Sequence, residues 1–226
     1  VADERDRITA KQRDLGLFIP VYGIFIIIYV FACFLEPNFF TWNNNVNLFT
    51  RITPLIFAGM AQTFVILTGG IDLSIGSVLV LSSILVGLFL KADLGVALSI
   101  FLTLCISGSI GFANAVMINR LRAHPFIVTL GTMTAVRGFA LVITEGHPVT
   151  GFPKTFSYFG QGYLFNIPFP VVLFIILAIA FHILLRHTKY FSQVYFIGSN
   201  PGAARLCGMN VERFRWVAYI ISATLA

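Results

Sequence analysis

The sequence predicts an all-α membrane protein, a polytopic bundle of transmembrane helices, and three observations predict it. Hydrophobic residues make up 58% of the 226 and charged residues 11%, against roughly 25% charge in a soluble domain. The apolar runs are continuous over about the 20 residues a spanning helix needs, where barrel strands would show short alternating segments. Basic residues gather beside those runs, so the net charge of +6 orients the chain in a bilayer and needs no nucleic acid to explain it. The runs add up to about six complete spans plus a truncated further one, with a helix break at residues 69–77.

Residues 1–14 are charged with mixed signs and carry Arg5, Arg7, Lys11 and Arg13 next to the first apolar run. This end is expected in the cytoplasm. It is too acidic, and the run after it too long, for a cleavable signal. The first span is expected over 15–35, followed by an aromatic girdle of Phe34, Phe39, Phe40 and Trp42 at the far interface. A polar outer loop then contains Asn43, Asn44, Asn45 and Asn47.

The run 52–89 is too long for one span and reads as two helices back to back. Between them lie Gly69, Gly70, Ile71, Asp72, Leu73, Ser74, Ile75, Gly76 and Ser77. Gly69, Gly70 and Gly76 have no Cβ, which lets backbone turn sharply or approach another helix. An acid such as Asp72 costs about 2.5 to 3.5 kcal/mol at the bilayer centre, so it must face protein or water. Two accounts fit: a tight turn whose carboxylate caps the next helix, or a break that exposes polar groups to a transport pathway. Gln62 and Thr63, about two turns earlier, are the other polar groups near it.

A fourth span over 94–118 carries Ser107, Gly111 and Ala115 at intervals of four, a small-residue stripe for close packing, and Asn114 for a hydrogen bond between helices. The short basic loop 119–124, with Arg120 and Arg122, belongs in the cytoplasm. Pro125 opens a fifth span, 126–144. Its Arg137 lies roughly 18 Å along the helix and is expected to snorkel to the outer interface, with pairing to Asp72 the sharper alternative. Residues 145–167 form a long aromatic loop, expected either to receive a partner or to lie on lipid through Phe152, Phe156, Tyr158, Phe159 and Tyr163. The sixth span covers 171–185, and its His182 is expected to be satisfied or interfacial.

Residues 186–215 form the second basic, cytoplasmic segment. Inside it Asn200 is an N-cap, Pro201 a first helical residue and Gly208 a C-terminal stop. A two-turn helix is marginal alone and must pack on something, either its own spans or a soluble partner. Residues 216–226 are apolar but short of a span, so the single transmembrane domain 1–226 is expected to be incomplete at its C-terminus. Cys33, Cys105 and Cys207 lack CxxC spacing and are expected to be free thiols, with no metal site and no cofactor.

Three stretches in this order, TGGIDLSIGS from Thr68 to Ser77, PFIVTLGTMTAVRG from Pro125 to Gly138 and YFIGSNPGAARLCGMNV from Tyr195 to Val211, make the chain resemble the ABC importer permeases of the ribose, xylose, arabinose and galactose type. These are relatives of the branched-chain amino acid permeases. The resemblance implies a permease subunit of an ATP-driven importer for a monosaccharide or similar polyol in the inner (plasma) membrane. It implies as partners a second permease subunit, a cytoplasmic ABC ATPase and a periplasmic or extracellular sugar-binding protein. It also implies a coupling helix that enters a groove of the ATPase, which here falls on Gly198, Asn200, Ala203, Ala204, Arg205 and Gly208. The family commonly has an acid where this chain has Gly202, a departure that weakens the helix and its N-terminal charge.

There is no phosphate loop, no carboxylate pair and no nucleophile with its base, so the chain is not expected to be an enzyme. Gln62, Thr63, Asp72, Ser74 and Asn114 are the candidate pathway residues, having the amide, hydroxyl and carboxylate groups that bind sugars. The alternative from another class is an ion-coupled secondary transporter with Asp72 as its coupling site.

Overall fold

The computed structural model describes residues 2–226, with side chains from Ile19 onward. The cationic residues of 1–14, expected in the cytoplasm, have their side chains outside the described set. The chain divides into two units, residues 1–49 and 50–226. In the first, helix α1 (Ala2–Leu35) leads to the start of α2 (Trp42–Leu67). Tyr29 holds them together: its hydroxyl donates to Asn45 Oδ1 at 2.6 Å and its ring meets Phe39 edge-on at 5.3 Å.

Helix α2 starts about ten residues before the apolar run does, so the asparagines expected in a loop are helical. The Thr41 hydroxyl explains this: it accepts from the backbone N–H of Asn44, and the Thr41 carbonyl accepts from Asn45 Nδ2 at 2.9 Å. A helix can thus begin in polar sequence without apolar periodicity.

The second unit continues through α3 (Ile75–Lys91), α4 (Val96–Arg120), α5 (Pro125–Thr144), α6 (Lys154–Gln161), the two-residue strands β1 (Tyr163–Leu164) and β2 (Ile167–Pro168), α7 (Phe169–His187), α8 (Gln193–Ser199), α9 (Pro201–Leu206) and α10 (Val211–Leu225). Helices α2, α4, α5 and α7 are long and apolar enough to cross a membrane; α3 and Ile19–Leu35 are shorter apolar helices. The fold class read from the sequence is therefore the observed one. The aromatic loop has structure of its own: Phe156 of α6 meets Phe152 at a tilt and Phe159 of α6 meets Phe169 of α7 edge-on, beside the antiparallel β1–β2 turn.

The expected small-residue stripe of α4 receives α10. A Cβ on Gly111 would lie 2.2 Å from the Tyr219 carbonyl oxygen and 2.8 Å from the Ala223 Cβ, so only glycine permits the approach. Ala115, Ala218 and Tyr219 are fully buried there together with Phe64 and Val65 of α2. A second cluster, Leu81, Leu85 and Ala140, joins α3 to α5. Helix α10, 15 residues long, buries Val211, Phe214, Ala218, Tyr219, Ser222 and Ala223 in the unit.

Candidate functional site

The break between α2 and α3 is built from two glycines with different reasons to be glycine. Gly69 has φ +77°, the left-handed region where a Cβ is strained. At Gly70 a Cβ would stand 2.6 Å from the Tyr219 hydroxyl. Gly76, expected to share this role, lies in the first turn of α3 with nothing within 4 Å of its would-be Cβ, and the turn does not need it. The N–H groups of Thr68 and Gly70 both donate to the Val65 carbonyl, closing α2 before the chain runs extended to Asp72.

Asp72 is 4% exposed and both carboxylate oxygens are engaged. Oδ1 accepts from the Ser74 backbone N–H at 2.9 Å and from the Ser74 hydroxyl at 2.6 Å; Oδ2 accepts from the Ser222 hydroxyl at 2.9 Å. The Ser74 hydroxyl in turn accepts from Asn114 Nδ2 at 3.1 Å, and Asn114 Oδ1 accepts from the Thr132 hydroxyl at 2.6 Å. The Ile71 carbonyl beside it accepts from the Tyr219 hydroxyl at 3.3 Å. Four elements thus meet in one buried polar chain, each member satisfied, which is the condition under which buried polar groups fix a single geometry. Arg137 is exposed on α5, and among the described residues Asp72 makes no ion pair with it.

The five candidate pathway residues therefore separate. Asp72, Ser74 and Asn114 belong to this network. Thr63 donates to the Gly59 carbonyl at 2.8 Å and lines a crevice of about 570 Å³ between α2 and α7 with Phe174, Phe181 and His182. Gln62 has its Oε1 buried without a partner. Ser222, Thr132 and Tyr219, which complete the network, were not singled out from sequence: lone hydroxyls on apolar helices carry no signal until the helices are brought together. A further cavity of about 520 Å³, lined by Thr53, Phe57, Ser82, Thr103, Phe152 and Phe156, was equally invisible.

The segment after α7 contains two short helices where the sequence marked one. Asn200 caps α9 as expected, its Oδ1 accepting from the Ala203 N–H at 3.0 Å, and Gly208 takes φ +79°. Before it, α8 buries Val194 and Ile197 completely and presses Gly198 against the end of α2. A Cβ at Gly198 would lie 2.4 Å from the Leu67 carbonyl oxygen, and a Cβ at Gly69 would lie 3.8 Å from the Gly198 backbone. Ala204, named above as a coupling residue, faces inward: it is buried in a cluster with Val194, Ile197, Val211 and Phe214. Its neighbours Gly202, Ala203, Arg205 and Leu206 are exposed, Leu206 at 91%. Arg205 pairs with Glu212 at 2.8 Å, tying α9 to α10. The backbone hydrogen bond at Glu212, and then Arg205, hold the Glu212 carboxyl below its ordinary range.

Comparison with known proteins agrees with this architecture. The family described as branched-chain amino acid transport system / permease component matches residues 44–226. The ribose import permease protein of Bacillus subtilis (strain 168) is 35% identical over 209 residues, covering 92% of this chain and 65% of the relative. The D-allose transport system permease protein of Escherichia coli (strain K12) is 32% identical over 221 residues, covering 96% of this chain and 68% of the relative. The L-arabinose ABC transporter permease protein of Azospirillum brasilense is 29% identical over 198 residues, covering 88% and 58%. The chain thus spans about two thirds or less of the length of these relatives, 65% of the first. No solved structure matches it. With its apolar helices, its break and its capped α9 in the matched region, the chain belongs to the family of branched-chain amino acid transport system permease components.

Proposed function

We propose that the chain is the transmembrane permease subunit of an ATP-driven importer for a monosaccharide or similar polyol, acting in the inner (plasma) membrane with a second permease subunit. A cytoplasmic ABC ATPase docks on the exposed face of α9, and a substrate-binding protein delivers the sugar on the opposite side. In this orientation the N-terminus, the loop 119–124 and the segment 186–215 are cytoplasmic, in keeping with the arginines of both segments. The whole of 1–226 forms one permease domain.

The observation that carries the proposal is the close approach of Gly198 to the Leu67 backbone, where an added Cβ would lie 2.4 Å from the carbonyl oxygen. It links the segment a soluble partner would push to the break between α2 and α3, so a displacement of α8–α9 reaches the break without an intervening side chain. Interior packing transmits such shifts because it is dense and resists compression. The alternative, an ion-coupled transporter using Asp72, is supported less well: the carboxylate is occupied by three donors, the arrangement of a shaping turn.

Leu206→Glu tests the docking face. It adds a charge to an exposed position, so the amount of permease in the membrane should stay at the wild-type level while ATPase co-purification and uptake are lost. Normal co-purification and uptake in this variant would refute the docking role of α9.

A further inference from the structure

Beside the break, where α4 ends and α5 begins, lies a cavity of about 800 Å³ lined by Asn119, Arg122, His124, Arg205, Glu212 and Arg215. Three guanidinium groups face one carboxylate, and that carboxylate is taken by Arg205. Among the described residues neither Arg122 nor Arg215 is in an ion pair. Arg122 also holds a left-handed backbone, φ +53°, a conformation that costs a non-glycine residue free energy and persists only where the surroundings enforce it.

Asn119 closes one wall of the cavity: its Nδ2 donates to the Glu212 carbonyl at 3.2 Å, which ties the end of α4 to α10. The cavity therefore offers two guanidiniums outside any ion pair among the described residues, suited to phosphate oxygens.

We propose that this cavity binds the headgroup of an anionic phospholipid, with the phosphodiester on Arg122 and Arg215. The lining residues flank the ends of two candidate spans, Val96–Arg120 and Pro125–Thr144, which is the depth of the headgroup layer, and basic pockets between spans at that depth are where anionic headgroups bind. The lipid rather than a soluble phosphate is assigned because the lining residues lie at the ends of these two spans. The proposal rests on the chain being a membrane permease and does not depend on the ATPase.

Its test uses the full-length permease alone, purified from phosphatidylcholine vesicles doped with phosphatidylglycerol, with retained lipid counted by native mass spectrometry. Wild type should retain phosphatidylglycerol in preference to phosphatidylcholine. Arg122→Gln with Arg215→Gln should lower retention at least about tenfold, as loss of charged hydrogen bonds implies. Melting in pure phosphatidylcholine checks that each variant is folded, and the comparison of lipids on wild type stands even where a variant is not. Equal retention of phosphatidylglycerol and phosphatidylcholine by wild type, retention unchanged in the folded double variant, or displacement of the lipid by soluble glycerol phosphate would each overturn the proposal. None of these outcomes bears on whether Leu206→Glu releases the ATPase.

Discussion

Gly198→Ala is the sharpest perturbation of the link between α8 and the break. The added Cβ would sit 2.4 Å from the Leu67 carbonyl oxygen and 3.1 Å from its carbon. Relaxed carbon–oxygen contacts begin near about 3.3 Å, so roughly 0.9 Å has to be found between two backbones. No flexible side chain can yield instead. Overpacking of this kind costs about 1 to 3 kcal/mol, reduced by the 0.5 to 1 kcal/mol or so that alanine gains over glycine in a helix. Val194 and Ile197 are fully buried and anchor α8 with about 1.5 to 3 kcal/mol each. The helix should therefore stay docked but displaced. In the permease–ATPase complex reconstituted in vesicles, assembly and ATP hydrolysis should persist while uptake per ATP falls at least about tenfold, equivalent to 1.4 kcal/mol of lost coupling. Gly138→Ala is the control, since its Cβ meets nothing within 4 Å, and it should leave uptake unchanged. Uptake by Gly198→Ala within about twofold of wild type, with unaltered melting, would refute the idea that this contact transmits motion.

Three further outcomes follow from the geometry. Asp72→Asn keeps an acceptor for Ser74 and should melt close to wild type, whereas Asp72→Leu leaves donors unpaired at about 1 to 3 kcal/mol each and should lower the melting temperature markedly; equal melting of the two, with uptake collapsing with the proton gradient at constant ATP, would restore the ion-coupled alternative. Ala204→Glu buries a charge in the cluster of Val194, Ile197 and Phe214 and should reduce the amount of folded permease, in contrast to Leu206→Glu; unchanged abundance would show that Ala204 is accessible. Cysteine at Arg122, in a background lacking Cys33, Cys105 and Cys207, should resist impermeant thiol reagents added outside intact cells, and prompt labelling would reverse the orientation.

The apolar helices and the break were legible because a bilayer imposes one length and one composition on every crossing helix. The stripe of Ser107, Gly111 and Ala115 was legible as a close-packing face, though its partner, α10, was judged only by length. What the sequence concealed has a common cause. Thr41 starts α2 inside polar sequence, so no change in hydropathy marks the boundary. Helix α9 has six residues, too few for a period to separate Ala204, which is buried, from Leu206, which is exposed. The network around Asp72 was half visible, because Ser74 is its neighbour in sequence and Ser222 is not. Gly76 shows the converse: a glycine within a glycine-rich turn can be free of steric duty, and only the space around its missing Cβ tells.

The bond from Ser222 to Asp72 closes across 150 residues, which has a consequence for how the chain is made. At about 5 to 20 residues per second of synthesis, the carboxylate has to wait roughly 8 to 30 s after it leaves the ribosome before α10 exists to receive it. During that interval Ser74, two positions away, is the donor already at hand, and its N–H and hydroxyl can hold the charge in a local turn. The local turn that shapes the finished break is thus one the chain can form before α10 is made. A substitution at Ser74 should be felt first as failed membrane insertion, and only in the molecules that survive it as lost transport.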